Sequence, residues 1–217
     1  GEQTEVVTAA GAMIVPGFMD GHTHFLDGGF QLASVDLRTA DTPEEFTARI
    51  AAFAAERKPG EWILGGDWDH ERWPGAPLPT KEWIDSVTPN NPVFVNRLDG
   101  HMAVANSAAL RAAGITKASK DIPGGEIVRD PRTGNPTGLL KDNAMGPVYM
   151  AMPAPTEAQR DAALARAVAF AASKGVTAVN FMSAPTSSLG AFQRARAAGT
   201  LTVRTKMYFP IEAWRWV

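Results

Sequence analysis

An Asp-x-His-x-His motif follows a short apolar stretch near the start of the chain. Asp20, His22 and His24 come directly after Val15-Pro16-Gly17-Phe18-Met19. Residues two positions apart on a strand share one face, so both imidazoles can converge on a cation at about 2.0–2.1 Å. Imidazole pairs suit zinc, while iron, nickel or manganese fit when carboxylates complete the shell. The alternative is that both histidines are merely polar strand-end residues, but the apolar strand and Asp20 favour a metal site.

A second motif, Gly65-Gly66-Asp67-Trp68-Asp69-His70, closes another predicted strand. Asp67 and Asp69 share a face at a strand's carboxyl end, which is where (β/α) barrels hold their active sites. We expect Asp69 and His70 to take part in catalysis and Asp67 to contact the substrate. The sequence leaves open a structural alternative, in which Asp69 caps a turn and His70 packs beneath Trp73.

The third motif is Asp99-Gly100-His101, which follows the apolar run Val93-Phe94-Val95. His101 could contact the substrate or donate a hydrogen bond to a developing oxyanion, an interaction worth about 2.7–4 kcal/mol in other enzymes. Alternatively, His101 binds a backbone carbonyl and organises the helix start near Asn106. We expect Asp99 and His101 to belong to the active site.

Four tryptophans surround the second motif within 22 residues, at positions Trp62, Trp68, Trp73 and Trp83. Indoles lining a site would suit a bulky or aromatic substrate, because ligand pockets are mostly apolar. We expect Trp68 and Trp73 to bind substrate, although core packing is the more common role of tryptophan.

The elements that must position these motifs alternate between strands and helices. Thr42 with Glu45 and Thr156 with Gln159 predict capping boxes at two helix starts. Later, a short β-branched strand, a helix closed by Gly199 and a second strand predict parallel pairing through a right-handed crossover. A (β/α) barrel and an open doubly wound sheet both satisfy this α/β pattern. The barrel is favoured because the chain has neither a dinucleotide-binding nor a P-loop glycine motif.

The composition excludes several classes of protein. The 217 residues include 45% apolar and 20% charged residues and carry a net charge of −2, which does not favour nucleic acid or an anionic membrane surface as a partner. No run approaches the roughly 18 apolar residues of a transmembrane helix. With no cysteine, disulfides, thiolate ligands and a cysteine nucleophile are excluded. We expect a cytoplasmic protein that acts on a small molecule.

The motifs together resemble the metal-dependent amidohydrolase superfamily, in its YtcJ-like branch, often called amidohydrolase family 3. The resemblance rests on the first three motifs and continues through Asn106-Ser107-Ala108-Ala109-Leu110 and Pro136-Thr137-Gly138-Leu139-Leu140 in the same order. It implies a (β/α)8 barrel of the metallo-dependent hydrolase type beside a small β-sandwich. It also implies hydrolysis of an amide or another C–N bond by metal-activated water, with His101 in the active site.

The resemblance raises a question about Lys141, because in several amidohydrolases a carbamylated lysine bridges two metals. Lys141 follows an apolar pair and could be such a bridge, although lysines in this setting are usually solvated. Asp142 is an equally good acidic group at or near the site, and Lys206 is a weaker candidate for the bridge. We assign Asn180 no ligand role.

Members of this family are longer than 217 residues, and the resemblance places further histidines and an aspartate after Val217. We therefore expect residues 1–14 to be a remnant of the β-sandwich, and residues 15–217 to be the N-terminal part of a barrel. A Gly/Pro-rich insertion is expected at about residues 115–140. A partial barrel exposes strand edges that favour self-association, so a homo-oligomer is an open prediction. We expect Asp20, Asp69 and Asp99 to end neighbouring parallel strands on one rim.

These observations predict a metal-dependent hydrolase in which His22 and His24 hold a divalent cation, with zinc as the first choice. A second hypothesis is a catalytically incomplete barrel fragment that serves only as a binding or structural module. A third is hydration or isomerisation by the same histidine pair.

Overall fold

A computed structural model describes residues 3–215 as two compact units. The central unit is Ala33–Ala154, and the terminal unit is formed by the chain on either side of it. Among residues 3–215, no helix has the length and apolar character needed to cross a membrane. Both unit boundaries fall inside the segment 15–217 that was expected to form one barrel domain.

Strands and helices alternate along most of the chain. In chain order the elements are β1 (Phe18–Thr23), α1 (Phe25–Gln31), β2 (Val35–Asp36), α2 (Pro43–Ala55), β3 (Gly65–Trp68), α3 (Lys81–Asp85), β4 (Phe94–Arg97), β5 (Met102–Ala105), α4 (Ser107–Ala112), β6 (Gly125–Arg129), β7 (Pro136–Asp142), α5 (Gly146–Ala151), α6 (Glu157–Ser173), β8 (Val176–Phe181), α7 (Leu189–Ala197) and β9 (Arg204–Met207).

The terminal unit contains a parallel sheet in the order β1-β8-β9. The crossover from β8 through α7 to β9 confirms the strand-helix-strand unit expected from the sequence. The core between the sheet and its helices includes Phe25, Leu164, Phe181 and Phe192. This packing supports β1, the strand that carries the first motif.

The central unit contains a mixed sheet in the order β2-β3-β4-β5-β7-β6. Strands β2, β3 and β4 are parallel, whereas the remaining neighbours pair antiparallel. The carboxyl ends of β3 and β4 therefore lie at one edge, which brings the second and third motifs together. The sequence predicted that the strands ending near Asp20, Asp69 and Asp99 are neighbours in one parallel sheet. This prediction is wrong for β1, the strand of Asp20, which pairs with β8. The two-residue β2 pairs with β3 instead.

The central sheet includes two hairpins. Strands β4 and β5 are joined across the third motif, and β6 and β7 occupy much of the expected insertion at residues 115–140. Asp130 closes the second hairpin by accepting hydrogen bonds from the backbone N–H groups of Arg132 (3.0 Å) and Thr133 (2.7 Å). Local Asx turns of this kind stabilise a tight reversal, so the Gly/Pro-rich stretch forms a regular ribbon.

The helix starts follow local capping rules. Thr156 and Gln159 form the expected reciprocal capping box at α6. At α2, Thr42 accepts from the Glu45 N–H, but the Glu45 carboxylate accepts from the N–H of Asp41 instead of closing a box on Thr42. Both arrangements satisfy backbone donors that a helix leaves unpaired.

The structure establishes an α/β fold without a closed barrel. Neither of the two sheets formed by the described residues closes on itself. Residues 3–17 contain no strand within the described chain, and the β-sandwich remnant at residues 1–14 stays a prediction.

Candidate functional site

The first motif lies on the last residues of β1 and the residue after it. The His22 and His24 rings are both exposed, and their centroids are 5.8 Å apart at an interplanar angle of 74°. Asp20, also exposed, accepts a hydrogen bond from the His22 backbone N–H at 3.0 Å. The end of β1 thus presents two imidazoles to solvent. The Asp20 carboxylate holds the backbone at His22 through its hydrogen bond.

Contacts with β8 fix the position of this strand end. Asn180 Nδ2 donates to the carbonyl of Gly21 at 3.3 Å, and Thr23 Oγ1 donates to the carbonyl of Asn180 at 3.0 Å. Gly17 approaches β8 closely, because a Cβ there would lie 2.2 Å from Thr177 Cγ2 and would force that side chain to shift. Asn180 therefore links β8 to the backbone of β1.

The donor set at β1 fits part of a metal site. Two neighbouring imidazoles are ligands that zinc and other transition metals accept, and catalytic zinc usually takes three protein ligands. Within residues 3–215, no group of three or more His, Cys, Asp or Glu side chains is placed to hold a metal ion. His22 and His24 would supply two of the ligands of such a site.

In the central unit, the second motif is held by side chains that the sequence analysis did not single out. Asp67 accepts hydrogen bonds from Arg38 Nη2 at 2.5 Å and from Asn96 Nδ2 at 2.9 Å. Its φ of +56° is uncommon for a residue other than glycine. This carboxylate is paired within the protein.

Asp69 and His70 match the structural alternative in part. Asp69 Oδ1 accepts from the Glu71 backbone N–H at 3.1 Å and so caps a short turn. The His70 ring packs edge-on against Trp68 at 6.1 Å, and its buried Nδ1 has no hydrogen-bond partner among the described residues. Catalytic roles for Asp69 and His70 stay predictions.

Arg97 links the second and third motifs. Its Nη1 lies 2.6 Å from Asp99 Oδ2, and its Nη2 lies 2.9 Å from Glu71 Oε1 and 3.7 Å from Asp69 Oδ1. The arginine side chain is only 15% exposed. Sequence reasoning missed Arg97, although its place at the carboxyl end of an apolar strand is the same signal that singled out the aspartates.

Asp99 and His101 lie in the turn between β4 and β5. Asp99 Oδ1 accepts a hydrogen bond from the His101 backbone N–H at 3.0 Å. Burial opposes ionisation of Asp99, but this N–H and the Arg97 guanidinium together hold the pKa of the carboxyl below its ordinary value. Asp99 is therefore an anion that shapes the turn carrying His101.

His101 contacts Asp142, the last residue of β7. The ring nitrogen Nδ1 lies 2.8 Å from Asp142 Oδ1. The hydrogen bond to Asp142 and the charges of Asp142 and Asp99 raise the pKa of His101 above its ordinary value of 6.5. A solvent-exposed imidazole with a carboxylate behind it can accept or donate a proton near neutral pH.

Lys141 forms an ion pair in the structure. Its Nζ lies 2.8 Å from Glu126 Oε2 across the β6–β7 ribbon. Its role as a carbamylated bridge between metals stays a prediction. Lys206, the weaker candidate, lies with its Nζ 5.1 Å from the ring centroid of Tyr208.

Trp68 of the second motif and Trp73, three residues after it, are core residues, which corrects their expected role in substrate binding. Trp68 is 0% exposed and Trp73 is 3% exposed. Their indole N–H groups donate to the carbonyls of Val95 (2.9 Å) and Ala40 (2.8 Å). Because the rings pack with Phe46 and the N–H groups are already paired, neither indole presents a surface to a ligand.

Comparison with known proteins covers almost the whole chain. A family model described as the amidohydrolase family matches residues 5–213. The Arabidopsis thaliana protein LONG AFTER FAR-RED 3 is 38% identical over 224 aligned positions, covering 99% of this chain and 38% of the plant protein. YtcJ of Bacillus subtilis (strain 168) is 30% identical, covering 97% of this chain and 41% of YtcJ.

Two further relatives carry functional names of their own. The N-substituted formamide deformylase of Arthrobacter pascens is 36% identical over 149 residues, covering 68% of this chain and 27% of the deformylase. An uncharacterized metal-dependent hydrolase from Pyrococcus furiosus superposes with a TM-score of 0.67 and 26% identity, covering 92% of this chain and 39% of that structure. The chain spans about two fifths or less of each relative. By its match over residues 5–213, the chain belongs to the amidohydrolase family, in the YtcJ-like branch.

Proposed function

We propose that the protein carrying this chain is a metal-dependent hydrolase that cleaves an amide or another C–N bond in a small molecule. The exposed His22 and His24 pair on the carboxyl end of β1 is the observation that carries the proposal. The family match supports hydrolysis, and the resemblance to a formamide deformylase supports a C–N bond. The likeness to a metal-dependent hydrolase structure supports a divalent metal.

In this proposal His22 and His24 hold the metal, with zinc as the first choice. When bound, such a cation lowers the pKa of water toward 7 and polarises a scissile carbonyl. Asp20 contributes by accepting the His22 backbone N–H, which fixes the strand end that presents the two imidazoles. We also propose that this α/β chain forms part of a (β/α)8 barrel.

Within the central unit, His101 of the third motif stays the predicted proton-handling group. His101 can donate a hydrogen bond to a developing oxyanion or move a proton at Nε2, because Nδ1 is taken by Asp142. Asp99 accepts the His101 backbone N–H and so holds the turn that carries the histidine. Catalytic roles for Asp69, Asp99 and His70 belong to the proposal as predictions. We also predict that the metal is zinc, that the protein is cytoplasmic and that it forms homo-oligomers.

A substrate panel tests the reaction type. The product of the natural reading frame is assayed, with added Zn²⁺, against N-formyl amines, N-acyl amino acids, cyclic amides, carboxylic esters and phosphate esters. The proposal predicts turnover of at least one C–N substrate class that exceeds turnover of the esters. Turnover confined to esters, or none across the panel, contradicts it.

A second candidate for the isolated chain is a binding module without activity. It is motivated by two observations on residues 3–215, where no group of three or more His, Cys, Asp or Glu side chains is placed to hold a metal ion and neither sheet closes. We expect the 217-residue chain alone to bind zinc loosely, to self-associate and to give no turnover. Robust metal-dependent turnover by the chain alone would exclude this candidate.

A further inference from the structure

Two hairpins bring Asp142 and His101 together in the central unit. His101 lies in the turn between β4 and β5, and Asp142 ends β7, which pairs with β5. The backbone N–H of Asp142 donates to the carbonyl of His101 at 2.9 Å. Because the His101 N–H donates to Asp99, both backbone groups of the histidine are fixed by named partners.

The side-chain contact selects one tautomer of the imidazole. His101 Nδ1 lies 2.8 Å from Asp142 Oδ1. An ionised carboxylate only accepts hydrogen bonds, so Nδ1 must carry the proton, and in the neutral ring Nε2 is then the acceptor. The His101 side chain is 74% exposed, and Nε2 has no hydrogen-bond partner within the described part of the chain.

The backbone of Asp142 has a conformation that glycine adopts more easily than other residues. Its φ is +47° and its ψ is −123°, a combination outside the left-handed helical region that a residue with a Cβ tolerates best. Glycine occupies the other positive-φ position of this strand, Gly138. Glycine would adopt the Asp142 conformation without a steric penalty, so Asp142→Gly removes the carboxylate and keeps this backbone conformation accessible.

We infer that Asp142 is a positioning residue that holds His101 as its Nδ1–H tautomer and leaves Nε2 free for the reacting group. The catalytic meaning of the inference rests on the proposed function. The tautomer itself depends only on contacts within the central unit, so it can be tested whether or not the protein proves to be a hydrolase.

Long-range ¹H–¹⁵N correlation spectra of the four histidines provide the test on the full chain. Wild type is expected to show His101, assigned with His101→Ala, with a protonated Nδ1 and an unprotonated Nε2 above the pKa of the ring. Asp142→Gly keeps the backbone conformation accessible and is expected to abolish this preference, and Asp142→Asn provides a near-isosteric second variant. Asp161→Asn, which removes a carboxylate paired with Arg194, is the control and leaves the His101 spectrum unchanged.

The result that overturns the inference is an unchanged Nδ1–H signature in Asp142→Gly. For the active protein, kcat in Asp142→Gly is expected to fall by at least about tenfold with a smaller change in KM, because a wrongly oriented acid or base loses its contribution. Retention of kcat in a variant that has lost the tautomer preference contradicts the catalytic part alone.

Discussion

Arg97 Nη1 and Asp99 Oδ2 lie 2.6 Å apart at the start of the turn that carries His101. The same guanidinium also approaches Glu71 and Asp69, so one mostly buried cation offsets three carboxylates. The second and third motifs are thereby joined by electrostatics as well as by the pairing of β3 with β4.

Replacing Arg97 tests this link. Arg97→Ala leaves three carboxylates without their shared cation, and we expect a loss of about 1–3 kcal/mol in the free energy of unfolding. Arg72→Ala is the matched control, because Arg72 and its partner Asp41 are both well exposed, and it should cost less than about 1 kcal/mol. Urea denaturation of both variants measures the difference, and equal losses would show that Arg97 has no special role.

The contact between His101 and Asp142 makes stability depend on pH. Since the folded protein raises the pKa of His101, the resulting stabilisation is full below the unfolded value near 6.5 and is lost as pH rises through the folded pKa. Wild type should therefore exceed Asp142→Asn in stability by more at about pH 5.5 than at about pH 8.5. Urea midpoints at the two pH values check this, and a pH-independent difference would argue against the contact.

Trp68 should behave as a core residue. Trp68→Phe removes the hydrogen bond to the Val95 carbonyl and leaves a void, so a loss of about 1–3 kcal/mol is expected. Trp214→Phe, at a position with 65% exposure, serves as the control and should change stability by less than about 0.5 kcal/mol. A Trp68→Phe protein as stable as wild type would contradict the core role of Trp68.

Features that depend on near neighbours in the chain could be predicted. The Thr156 capping box involves residues three positions apart, and the crossover from β8 to β9 follows from the order and length of its elements. Placing both histidines on one strand end likewise needs only the two-residue repeat of a strand.

Features that depend on pairing between distant segments could not be predicted. β2 has only two residues and no alternation to reveal it, and its pairing with β3 depends on the sheet around it. The contact of His101 with Asp142 spans 41 positions and exists only because β5 pairs with β7. The burial of Trp68 likewise depends on the central-unit core, because indoles in a pocket and in a core have the same sequence pattern.

The most direct test of the account measures C–N hydrolysis by the product of the natural reading frame before chelation, after chelation and during graded return of Zn²⁺. We predict that turnover falls to background on chelation and returns in proportion to bound metal. His22→Ala and His24→Ala should neither retain the metal nor recover turnover, because each removes one of the two imidazole ligands. Turnover that survives complete removal of metal, or full recovery of turnover in either histidine variant, would contradict the claim that His22 and His24 hold the metal of a hydrolase.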